Sequence, residues 1–123
     1  MNKTVLVAVS DIFFYTKVRD ALLPAGFRLE RVRAQEEIAG KTAGFHPCAV
    51  ILNMNEDQLD AFQALGQLRE GDPADHVPVL AFANHEETDT WRRAKELGVT
   101  KIVSRNEFSA RTRDLIEEML GTR

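Results

Sequence analysis

The chain has 123 residues, 44% hydrophobic and 28% charged, with a formal net charge of −3 at pH 7 and a single cysteine. That length suits one domain able to bury a two- or three-layer core unaided, and the composition is neither that of a disordered chain nor that of a membrane-spanning one. The acidic balance argues against a general nucleic-acid binder, and Cys48 alone allows no internal disulfide and argues against a zinc cluster.

The N-terminus carries one Lys and a short apolar run, "TVLVAV" (4–9), which reads as a strand and lacks the long apolar region of a signal peptide, so a cytoplasmic location is expected. Ser10 or Asp11 can cap a first helix whose core face is Phe14, Val18, Ala21 and Leu22. At 100° per residue Ile12, Phe13 and Tyr15 cannot all share that face, so some apolar surface should show, either plugging a cavity or meeting a partner. "AGF" (25–27) puts Gly26 just past the helix, where a left-handed residue is wanted. A weaker strand, "RLERVRA" (28–34), follows, with Arg28, Arg31 and Arg33 read as a solvated edge, and then a helix around Ile38 and Ala39.

"CAVIL" (48–52) is an unbroken apolar strand that begins with Cys48, read as a small buried hydrophobe, and runs straight into Asn53. A helix on Leu59, Phe62, Leu65 and Leu68 comes next, then the loop "GDPADHVP" (71–78), with Pro78 opening the strand "VPVLAFA" (77–83). "HEETD" (85–89) starts a fourth helix with its acids first; Trp91, Ala94 and Leu97 form its inner face, and Gly98 ends it. Trp91 is read as packing on the sheet or partly covering that helix. The strand "KIVS" (101–104) precedes a last helix on Thr112, Leu115, Ile116, Met119 and Leu120, for which Ser109 is the expected cap.

The order is βα five times over, with no repeat, low-complexity segment or linker. It predicts a single domain, 1–123, of α/β class: a doubly wound (βα)5 fold with a five-stranded parallel sheet flanked by five helices.

This order and spacing resemble the response-regulator receiver domain (chemotaxis-type, CheY-like) over nearly the whole chain. "VILNMNEDQLDAFQALGQLRE" is similar to that family's third strand and helix, "HVPVLAFANHEETDTWRRAKELGVTKIVSRN" to its fourth strand through fifth strand, and "LLPAGF" to the end of its first helix. The resemblance implies a phosphorylated Asp after the third strand, an acidic pair after the first strand to hold Mg2+, a Ser or Thr after the fourth, and a Lys and an aromatic on the fifth. The residues at those positions are Asn53 for the acceptor, Val9 and Ser10 for the acidic pair, Ala83 for the hydroxyl, Arg105 for the Lys and Ile102 for the aromatic. The family's usual prolines are replaced by Asp57 and Asn106.

A neutral amide lacks the nucleophilic lone pair of a carboxylate, and Val9 offers a hard cation no oxygen. Engineering one position would explain Asn53 but not Val9 and Ala83, so the site reads as naturally lost, a pseudo-receiver. Aspartyl phosphorylation is not expected, nor is any cofactor, Mg2+ included. Asp11, Glu56, Asp57 and Asp60 read as helix caps and dipole partners rather than a metal site. Arg105, with its planar fork, is expected to pair with Asp11 or Asp57. His46, His76 and His85 show no ligand spacing, and nothing resembles a phosphate loop or a nucleophilic triad, so no enzyme is expected.

The expected function is two-component or phosphorelay signalling by protein–protein contact, without a membrane or nucleic-acid partner, and with homodimerisation left open. By analogy with the family, the expected surface holds Trp91, Lys95, Ile102 and Arg105. The alternative is a small-molecule or anion sensor that uses the vacated crevice at the carboxyl ends of the strands, with Asn53, Ser10, Asp11, Asn84, Ser104 and Arg105 as its polar groups.

Overall fold

Hydrophobic alternation decides the layers. The computed structural model describes residues 3–56, 59–72 and 75–121. Its elements are β1 (Thr4–Ala8), α1 (Ile12–Leu22), β2 (Arg28–Arg31), α2 (Glu37–Phe45), β3 (Ala49–Asn53), α3 (Ala61–Leu68), β4 (Val79–Ala83), α4 (Thr88–Glu96), β5 (Lys101–Ser104) and α5 (Arg105–Leu120). The strands form one sheet in the order β2-β1-β3-β4-β5, and every pairing is parallel. This is the expected doubly wound (βα)5 architecture.

Side chains on a strand point alternately to opposite faces, so the apolar runs feed two cores. Leu6, Val50, Leu52, Val79 and Ala81 pack with Ile38, Leu65 and Ala94 from α2, α3 and α4. Val5, Val7, Ile51, Leu80 and Phe82 pack with Val18, Leu22, Phe108, Leu115 and Ile116 from α1 and α5. Central strands buried on both faces need apolar residues at every position, which is why β1, β3 and β4 show no polar alternation.

Caps fix the helix starts. Asp11 caps α1 by accepting from the Phe13 and Phe14 amides, and Asp60 caps α3 by accepting from Gln63 N. Gly26 and Gly98 have φ of 91° and 92°, the left-handed turns expected of them. At Gly98 the Val99 amide reaches back to the Ala94 carbonyl, a Schellman-type stop for α4.

The expectation for α5 is corrected. Ser104, not Ser109, is its N-cap, accepting from Glu107 N at 3.1 Å, so β5 passes into the helix without a loop. The helix is kinked at Arg111 (φ −134°, ψ 29°). Arg111 bonds Glu107 on one side of the kink and Glu118 on the other, and these contacts raise its pKa.

The edge strand β2 is partly covered. Lys41 donates to the Arg31 carbonyl at 2.6 Å and lies near the carboxylates of Glu30 and Glu37. Arg31 itself departs from the solvated edge expected of it: its guanidinium stacks over Tyr15 and donates to the Ser10 carbonyl at 2.9 Å. Cys48 is half-buried against the α1/α5 core, and burial raises its thiol pKa.

Candidate functional site

Parallel strands deliver their C-terminal ends to one edge, and the chain's unusual residues gather there. β3 ends on Asn53, which is 5% exposed. Its Oδ1 accepts from Asn55 N at 2.9 Å, and its carbonyl accepts from Glu56 N at 3.2 Å. That is an Asx-type turn, in which a short polar side chain closes the backbone two residues on. Its side-chain oxygen is therefore committed to shaping its own loop.

Val9, at the first position expected of an acidic pair, is fully buried in the α1/α5 core. Ser10 is half-buried and grips Glu56: its amide donates to Glu56 Oε2 at 2.8 Å and its hydroxyl donates to Glu56 Oε1. Glu56, expected to face the dipole of the third helix, thus fills the corner beside Ser10 with a carboxylate from the chain itself. Asp11 is turned to its capping bonds. Among the described residues no group of three or more His, Cys, Asp or Glu side chains is placed to hold a metal ion.

The predicted pairing of Arg105 with Asp11 is not formed. The Arg105 guanidinium lies 4.6 Å from the centroid of the Phe14 ring, and no acid among the described residues pairs with it. Asp57, the other acid expected to meet it, lies outside the described residues. The physical reason is priority: Asp11 already satisfies orphan amides at the start of α1, while the Phe14 face offers a cation a flat electron-rich surface. Phe14 in turn stacks on Phe82 at 5.0 Å, and Phe82 on Phe108 at 4.2 Å.

The aromatic lip therefore divides. Phe14 fills space beneath Arg105, Tyr15 lies under Arg31, and Phe13 and Ile12 point outward at 77% and 58% exposure. Phe13 is no plug.

Ala83 is buried at the end of β4, and beyond it a second network runs toward α4. Asn55 Oδ1 accepts from Asn84 N at 3.0 Å, Asn55 Nδ2 donates to Glu87 at 2.7 Å, and the Trp91 indole donates to the Asn84 carbonyl at 3.0 Å. Sequence reasoning assigned Asn55 nothing; the only signal was its place two residues past an Asn that ends a strand.

Of the expected polar crevice, Asn84, Ser104 and Arg105 come together with His85 and Asn106 around a pocket of about 200 Å³. Asp11, Ser10 and Asn53 are not part of that lining. On the α4 face Trp91 and Lys95 line a shallow groove of about 550 Å³ with His85, Thr88, Arg92 and Glu96. Ile102 packs inward against the α2/α3/α4 core, and Arg105 sits at the start of α5 over Phe14, so neither extends that groove.

No family model matches the sequence, and no curated protein matches it. Among solved structures, the chain is similar to a response regulator (signal receiver domain) from Bermanella marisrubri, with a TM-score of 0.84 and 17% identity over 98% of this chain and 99% of that one. The phosphorylated cyanobacterial phytochrome response regulator RcpA gives 0.83 and 15% over 100% and 97%. The receiver domain of a sensor histidine kinase from Pseudomonas aeruginosa PAO1, with a magnesium ion in its active site cleft, gives 0.82 and 14% over 98% and 99%. The fold is that of the response-regulator receiver domain.

Proposed function

We propose that this chain is a pseudo-receiver: a signalling domain that works by protein–protein contact and is not phosphorylated at Asn53. The observation that carries the reading is the state of the acceptor corner. An amide stands where the nucleophile is needed, and its oxygen is held by Asn55 N. Val9 is packed in the core, and the Ser10 donors are taken by Glu56. In this reading the working part of the molecule is its surface, foremost the α4 groove around Trp91 and Lys95. A protein partner in a regulatory pathway fits a groove that combines one large aromatic with cationic and acidic side chains.

The pocket of Asn84, Ser104 and Arg105 favours a second reading, recognition of a small anion at the strand ends.

An amide NMR titration with Mg2+ and beryllofluoride separates the two. No shifts at Asn53, Asn84 or Arg105 are expected for a contact module, and acetyl phosphate with Mg2+ should add no phosphoryl group by mass spectrometry. Saturable shifts at Asn84 and Arg105 favour the anion reading, and a phosphorylated product overturns both.

A further inference from the structure

The opposite edge of the sheet, where the strands begin, carries a pocket of about 300 Å³ that shares no lining residue with the two described above. It lies between the end of α2 and the segment that leads into β4. Its polar lining is Thr42, His46, Asp75 and His76, while Pro47, Cys48, Val77 and Pro78 supply the apolar part. The Thr42 hydroxyl proton is spent on the Ile38 carbonyl at 2.6 Å, so toward anything else that oxygen acts as an acceptor. His46 caps α2 with φ 48°, the only positive φ among the described non-glycine residues, and strain of that kind gathers at sites with a task. His76 Nε2 is buried without a hydrogen-bond partner. Since no bond holds that nitrogen, the ring can turn to meet a donor in the pocket without losing one.

We propose that this pocket binds a small organic cation, a primary ammonium carried on a short apolar chain. The ammonium has three donors, and the pocket offers it the Asp75 carboxylate, the Thr42 hydroxyl oxygen and the His76 imidazole. The carboxyl end of α2 adds the partial negative charge of a helix terminus, and no Lys or Arg lines the pocket among the described residues. Lys3, whose charge is felt at Cys48, is itself held by the Ala25 carbonyl at 3.0 Å and lies over the Phe27 ring. The apolar chain then rests on Pro47, Val77 and Pro78. By residue type alone two imidazoles, a thiol and a carboxylate would suit a soft metal, but among the described residues no such group is placed to hold one. Burial also raises the Cys48 thiol pKa, which disfavours the thiolate that a metal takes. The volume is at the lower end of the about 300–1,000 Å³ typical of small-ligand sites. The inference goes beyond the contact-module reading and stands apart from it, since it concerns the other edge of the sheet.

The test is an amide NMR titration of the whole chain with n-butylammonium at about pH 8, above the ordinary imidazole range. Butyrate and 1-butanol, which share the alkyl chain but not the positive charge, are the controls. The amine should produce saturable shifts at Thr42, His46, Cys48, His76 and Val77 with millimolar affinity, as suits so small a ligand. Neither control should saturate over the same range. Asp75→Asn, at an exposed position, should fold normally and weaken amine binding about tenfold, the scale of one charge-assisted contact. His76→Leu, which keeps an apolar body but removes the acceptor, should weaken it roughly threefold. Absence of saturable shifts with the amine, equal shifts with butyrate or 1-butanol, or undiminished binding by Asp75→Asn would each overturn the inference. Shifts at these residues with Zn2+ but not with the amine would replace it with a metal site.

Discussion

The guanidinium of Arg105 lies over Phe14, 4.6 Å from the ring centroid, and Phe14 continues into the stack with Phe82 and Phe108. A cation, a helix start and two helices are thereby joined through one aromatic column. Phe14→Ala should cost about 3 kcal/mol in urea unfolding, near the low end for Phe truncation because the ring is only partly buried. Arg105→Ala should cost about 0.5–1 kcal/mol, the scale of an exposed cation–π contact. Phe13→Ser, one residue away but outward, should stay within about 0.5 kcal/mol of wild type.

Restoring a carboxylate alone should not restore phosphorylation. In Asn53→Asp the new acid sits at a 5% exposed position at the end of β3, between β1 and β4 in the sheet. Burial raises its pKa above the unfolded value of about 3.9. A raised carboxyl pKa lowers stability above that pKa and has no effect below both values. The variant should therefore be less stable by about 1–3 kcal/mol at pH 7, with the deficit closing as pH falls through its folded pKa. Urea midpoints across the acid range check the sign, and acetyl phosphate with Mg2+ should leave its mass unchanged.

Arg69 is a structural anchor at the opposite edge of the sheet. Its Nε donates to the Gly98 carbonyl at 2.7 Å, Nη1 to the Val77 carbonyl at 2.8 Å and Nη2 to Thr100 at 3.2 Å. Burial lowers its pKa, yet an arginine stays charged in the working range. Arg69→Ala should cost about 2–3 kcal/mol by losing charge-assisted bonds to carbonyls that have few other donors, and Arg69→Lys should recover only part of it. Thermal unfolding of both variants decides this.

Glu37 closes the turn into α2 by accepting from the Arg33 and Ala34 amides at 2.8 and 2.9 Å, with Lys41 beside it. The Arg33 amide bond is the leading cause of its lowered pKa. A depressed carboxyl pKa stabilises fully above the ordinary glutamate range and loses that contribution as pH falls through the folded value. The gap in urea midpoint between wild type and Glu37→Gln should therefore be present at pH 7 and narrow below the ordinary glutamate range.

The strands were legible because buried parallel strands admit only apolar runs, and four of the five began and ended within two residues of their apolar segments. β2 was legible only in part: its pattern ran to 34, but pairing with β1 ends at Arg31. The start of α5 was hidden because Ser104 serves as the last strand residue and the helix cap at once, leaving no loop signal. The lost acceptor site was readable position by position through the resemblance. What replaced it was not, since Glu56 on Ser10, Arg105 on Phe14 and Asn55 on Asn84 are contacts between distant segments that no local periodicity encodes.

The treatment of β2 bears on aggregation. An outer strand of a sheet invites pairing by a second chain wherever its amides and carbonyls stand bare. Here that strand is four residues long, carries Arg28, Glu30 and Arg31, and has its last carbonyl taken by Lys41. A chain approaching that margin meets alternating charge and an ammonium group where it needs a ladder, so growth of the sheet beyond β2 is blocked from that side.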